Sequence, residues 1–180
     1  MADSTASREG RSRMVTVMFR DRDSAEQAYR SITDRGYSQD DVNLLMSEDT
    51  RKKHFSSGEH ADTELGNKAL EGAGAGSMIG GTVGAILAAV AAAGTLAIPG
   101  LNIVAAGPIV AALTGAGAGA LTGGLIGALV GWGIPEERAK AYESGIKEGG
   151  IVMGVNPRTD EDAEYFEREW KNNRGEQVYR

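Results

Sequence analysis

From residue 72 to residue 135 the chain carries no Asp, Glu, Lys or Arg, although both flanks are densely charged. An apolar run of that length is not ordinary exposed surface and has to be packed against something. Within it Gly72, Gly76, Gly80 and Gly84 fall at every fourth position, as do Gly115, Gly119, Gly123, Gly127 and Gly131. Residues four apart share one face of a helix. The spacing therefore predicts two helices, each with a side-chain-free stripe and with aliphatic residues such as Ile79, Val83, Leu125 and Leu129 on other faces. A helix-interior glycine costs up to about 1 kcal/mol relative to alanine in water. Two such stripes need compensation from close helix packing, of the kind small-xxx-small motifs provide in membranes.

Between the stripes lies AIPGLNIVAAGPIVA. Pro99 and Gly100 signal a turn, and Gly107 and Pro108 are suited to end it and start a second helix. The expected insert is a long glycine-rich α-helical hairpin over residues 68–134, with helices at 70–97 and 108–132. Each span exceeds the ~20 residues that cross a bilayer core, and Trp132 stands where an interfacial anchor would. One reading inserts the hairpin into the cytoplasmic membrane, against lipid, with both termini cytoplasmic. Lys68, Arg138 and Lys140 near its ends are compatible with that side. The other reading bundles hairpins from several copies into a soluble cytoplasmic homo-oligomer or filament. Self-association is expected in both.

The flanks follow different periods. Residues 14–19, MVTVMF, alternate Val15, Val17 and Phe19 with Met14, Thr16 and Met18, a strand pattern. A helix follows, with Ser24 as its N-cap, Gln27 at the reciprocal position and a stripe of Ala25, Ala28, Tyr29 and Ile32. Gly36 ends it, and residues 41–46 give a second strand. After the insert, residues 135–147 predict a helix, 150–155 a strand, and a further helix has Thr159 as N-cap with Ala163, Phe166 and Trp170 on one face. EQVY, residues 176–179, is a short closing strand. Two β-α-β halves, 14–50 and 135–180, predict an α+β sandwich of ferredoxin-like type, four strands with helices on one face. Residues 1–13 read as a disordered tail without the apolar stretch of a secretory signal, and 51–67 as a polar linker.

Several chemistries lack their residues. A net charge of −6 argues against sequence-independent nucleic-acid binding, which needs a basic footprint. With no cysteine there is no thiolate nucleophile and no cysteine-based zinc site. GAGAGS suggests a phosphate loop, but G-x-G-x-x-G fails at Ser77 and Ile79, and no Lys or Arg lies inside the block. His54 and His60, with Glu59 or Asp62, match no zinc spacing and read as solvated loop residues. Asp160, Glu161, Asp162 and Glu164 read as an acidic first helical turn rather than an acid/base pair. Tyr165, Phe166 and Trp170 read as packing residues. No catalytic, cofactor-binding or metal-ligating set is expected, and no small-molecule substrate.

The segment AIPGLNIVAAGPIVAAL, followed by GIPEERAKAYESGIKEGGIVMGV, resembles the bacterial general stress protein and low-temperature-induced protein family. The most specific parts are IPG to AAGP (residues 98–108), the GIPEE exit, and the pattern of Tyr142, Gly145, Gly149 and Gly150. The resemblance implies a stress-induced bacterial protein without catalytic residues. It supplies a setting and no mechanism.

Overall fold

The structure, a computed structural model, describes residues 14–55, 95–98, 102–108, 118–131 and 133–180. It is an α+β fold on an antiparallel sheet. In chain order come β1 (Val15–Phe19), α1 (Arg22–Asp34), β2 (Val42–Ser47), α2 (Glu48–Phe55), β3 (Thr95–Ile98) and β4 (Ile103–Ala106). Then follow α3 (Ala118–Gly131), α4 (Glu136–Lys147), β5 (Ile151–Val155), α5 (Asp160–Asn172) and β6 (Glu176–Tyr179). The strands order as β3-β4-β2-β5-β1-β6, each pair antiparallel.

The expectation of four strands with helices on one face is overturned. Val15, Val17, Phe19, Leu44, Met46, Ile151 and Met153 pack on one side with Tyr29 and Ile32 of α1 and Phe166 and Trp170 of α5. On the other side Met18, Leu45, Ile103, Ala105 and Val152 pack with Leu125 and Leu129 of α3 and Tyr142 and Ile146 of α4. β1 and β5 are buried along their whole length. A period-two reading treats Thr16 and Met18 as the open side of the sheet, whereas a sheet covered on both faces buries them as well.

The first core is aromatic. Phe166 stacks on Trp170 with centroids 5.7 Å apart, and Tyr37 meets Phe166 edge-on at 5.3 Å. Trp170 Nε1 donates to Ser31 Oγ at 3.3 Å, so the buried indole keeps a partner.

Three local expectations are corrected. The N-cap of α1 is Asp21, not Ser24: its carboxylate accepts from the Ser24 backbone N–H at 2.8 Å and the Ser24 hydroxyl at 2.9 Å. Gln27 accordingly lies beyond the capping position. Residues 48–55, divided in the expectation between the first half and the polar linker, form α2. Ser47 Oγ accepts from Thr50 N at 3.0 Å, and Glu48 and Asp49 precede Lys52, Lys53 and His54 in the order a helix dipole favours. Of the helix expected over 70–97, residues 70–94 lie outside the described residues and the last residues are strand, from Thr95. Thr95–Ile98 pairs with Ile103–Ala106 in a β-hairpin, and β4 docks on β2 with Leu45 opposite Ala105. Thr, Ile and Val at this site suit a pleated surface, and the free edge of β2 supplies the backbone partners.

Thr159 caps α5 as expected, accepting from Asp162 N at 3.1 Å. Gly36, at φ +77°, follows α1.

Candidate functional site

Of the nine stripe glycines, Gly119, Gly123, Gly127 and Gly131 lie on α3. Gly72, Gly76, Gly80, Gly84 and Gly115 lie outside the described residues, as do Pro99, Gly100, His60 and Trp132. The single helix expected over 108–132 is not continuous through its described part. Gly124 sits at φ 58°, ψ −148°, a conformation that interrupts α3 and that only glycine adopts at low cost. Gly123 and Gly127 therefore stand on either side of a break. Among the described residues no helix is long and apolar enough to cross a membrane. Gly107 and Pro108 follow β4 rather than a helical turn. Gly107 takes φ +92°, and a Cβ there would overlap the Val42 carbonyl oxygen.

The second half of α3 faces two ways. Leu125 and Leu129 are buried against Met18, Tyr142 and Ile146. Val130 is 42 % exposed, and among the described residues a Cβ added at Gly131 would meet nothing within 4 Å. The helix stops by pairing Gly133 N with Val130 O at 2.9 Å and Ile134 N with Leu129 O at 3.1 Å. Gly133 is at φ +89°, and Ile134 joins Leu129 in the same core, a Schellman-type end with its hydrophobic contact. Pro135 then caps α4. GIPEE is thus a helix–helix corner.

α4 lies close against the sheet. The Tyr142 hydroxyl is 2.8 Å from Thr16 Oγ1 and 2.7 Å from the Gln177 carbonyl oxygen. A Cβ on Gly145 would overlap Met18 Sδ, and one on Gly150 would come within 2.8 Å of the Gly145 carbonyl oxygen. Burial pushes the Tyr142 hydroxyl up to about 12. On its outer face Glu136 pairs with Lys140 at 2.6 Å, which lowers the carboxyl and raises the amine.

A polar cluster without a signal in the sequence joins the two halves. Tyr37 Oη donates to Asp162 Oδ2 at 2.7 Å and accepts from Arg158 N at 2.6 Å. Arg158 reaches Asp41 at 3.0 Å, and Arg35 reaches Asp162 at 3.1 Å. Burial, then the hydrogen bond to Asp162, raises the Tyr37 hydroxyl; the Ser38 backbone N–H lowers the Asp41 carboxyl. The Tyr37 hydroxyl has a donor and an acceptor, and the Arg158 and Asp162 side chains bridge to the opposite half, so the cluster is a clasp between the end of α1 and the start of α5. His54 lies in the last turn of α2, with its pKa lowered by burial and then by Lys53 and Arg22. Among the described residues no group of three His, Asp or Glu side chains could hold a metal ion. Phe166 and Trp170 are buried core and Tyr165 is packed against them.

No family model, curated protein or solved structure matches this chain. The described part of the glycine-rich block is a broken helix with one face in the core and an exposed outer end at Val130.

Proposed function

We propose that this is a non-catalytic protein that self-associates through its glycine-rich block. The observation carrying the proposal is the outer end of α3, where exposed Val130 adjoins Gly131, a glycine with no atom of the described residues within 4 Å of where a Cβ would stand. A second copy can approach such a surface closely, and the uncharged sequence around it carries no repelling charge. The bacterial stress-response setting rests on the resemblance of the IPG–AAGP segment and the GIPEE exit. A ferredoxin-like frame is supported by the order β2-β5-β1-β6 with α1 and α5 on one face, to which β3 and β4 add two strands.

Of the two assembly readings, association without a membrane hairpin is favoured. Two of the larger aliphatics of α3, Leu125 and Leu129, are used inside the domain, and β3 and β4 belong to the sheet. Membrane insertion keeps the uncharged residues 72–94 as its sequence support.

Size-exclusion with light scattering, with and without detergent, tests this. The expected result is one defined oligomer without detergent, reduced in mass by Gly131→Leu with an unchanged circular-dichroism spectrum. A monomer at every concentration, or an unaltered mass in the variant, refutes association through this surface. Dependence on detergent for solubility would favour the membrane reading.

A further inference from the structure

A cleft of about 460 Å³ opens where α2, the Asn102 turn before β4 and the α4–β5 turn converge. Ile103 and Ile146 lie beneath it, buried at 2 % and 0 % exposure. Thr50, Lys53 and His54 line it from α2, at i, i+3 and i+4, which places them on one helix face. The acids that line it are already engaged. Asp49 accepts from Asn102 Nδ2 at 3.1 Å, while Glu148 accepts from Arg20 at 2.6 Å and from Ser144 Oγ at 3.2 Å. Arg20 is further held by Glu176 and Lys147 by Glu143. Lys53, among the described residues, makes no ion pair.

Among the described residues one donor is also left over. Ser47 Oγ accepts from Thr50 N, and the Ser47 and Thr50 hydroxyls share a single 2.8 Å hydrogen bond. Two hydroxyls carry two protons, and that bond uses one. The second proton belongs to a pair in which Thr50 is only 4 % exposed.

We propose that this cleft binds a small organic anion, a carboxylate or a phosphate monoester. Its oxygens meet Lys53 and the spare hydroxyl proton, and its carbon portion occupies the rest of the cleft. His54 reports occupancy. Burial, Lys53 and Arg22 hold its pKa below the ordinary histidine value, and Arg20 and Lys147 with Asp49 and Glu148 complete the charged lining. A bound anion offsets the cations and raises that pKa.

The chain has two histidines, so proton NMR of the full-length protein at constant ionic strength resolves the response, with His54→Gln assigning the signals. Phenyl phosphate and benzoate are the probes, benzyl alcohol the neutral control. The expected result is a saturable shift confined to His54, a raised His54 pKa, and about tenfold weaker binding in Lys53→Gln. The better of the two probes identifies the headgroup. Equal, unsaturable responses of both histidines, equal binding of benzyl alcohol, or unchanged affinity in Lys53→Gln would each overturn the proposal. Lys53 is exposed, so that variant tests the site without challenging the fold.

Discussion

Tyr142 and Thr16 stand 126 residues apart in the chain and 2.8 Å apart at their side-chain oxygens. A carbonyl only accepts, so the Tyr142 proton goes to Gln177 O at 2.7 Å and the Thr16 hydroxyl donates to Tyr142. One phenol thereby joins α4 to β1 and to the closing strand. Tyr142→Phe leaves the Gln177 carbonyl and the buried Thr16 hydroxyl short of a partner, a loss of about 1–3 kcal/mol. Tyr29 is the contrast: its hydroxyl is buried without a hydrogen-bond partner among the described residues. Tyr29→Phe should be neutral or stabilising by up to about 1 kcal/mol. Urea titrations of the two variants check the ordering.

The same phenols set the alkaline limit. Burial raises both Tyr29 and Tyr142 from 10.0 to about 12. Between those values the folded chain holds protons that the unfolded chain has lost, so stability is full below the unfolded value and falls as pH rises through the folded one. Absorbance titration of the five tyrosines should show Tyr29 and Tyr142 ionising last, with Tyr37 also raised. Stability measured between about pH 10 and 12 should fall less steeply in Tyr142→Phe.

Gly145 brings α4 onto Met18, whose Sδ a Cβ would overlap. Gly145→Ala should destabilise by about 1–3 kcal/mol through overpacking. The obstruction is the end of a flexible side chain, so adding Met18→Ala should recover part of that loss. A double-mutant cycle measures it, and strictly additive effects would contradict the contact.

Gly107 meets a different obstacle. Besides φ +92°, a Cβ there would lie 3.0 Å from Val42 C and 3.1 Å from Asn43 Cα, both backbone. The positive φ alone costs about 1–3 kcal/mol, and no side-chain truncation relieves the rest. Gly107→Ala should weaken the seating of β4 on β2, read as faster amide exchange in β3 and β4 than in β5. Unchanged exchange would mean that the hairpin is held elsewhere.

The Asp21 cap separates two ways of starting α1. Asp21→Ala removes the acceptor for Ser24 N and should cost about 0.5–2 kcal/mol. Ser24→Ala removes only the 2.9 Å hydroxyl contact and should cost less. The reverse order in thermal melts would restore Ser24 as the cap.

Short-range patterns were readable directly. The stripe of Ala25, Ala28, Tyr29 and Ile32, the Thr159 cap and the β-branched runs each depend on neighbours within a turn or a strand. α2 was readable too, in Ser47 and the acidic-to-basic order after it, but the density of polar residues resembled a linker. The Tyr37–Asp162–Arg158 clasp left no such signal, because its members come from opposite halves of the chain: Tyr37 from the loop after α1, Arg158 from the loop before α5 and Asp162 from the first turn of α5. Nor did the cleft beside Thr50, which four separate segments create.

By itself the sequence determined where the uncharged block begins and ends, and that α/β flanks enclose it, because charge and periodicity are properties of the chain alone. Tertiary structure decided what parts of that block became. TLAI, ahead of the turn signal of Pro99 and Gly100, satisfies a helix end or a strand until β4, seated on the open edge of β2, completes its hydrogen bonds. The glycines spaced by four describe one stripe until Gly124 breaks the helix, with Leu125 and Leu129 packed against the sheet. Backbone pairing and burial depend on partners far away in sequence, and those partners exist only once the rest of the chain has folded.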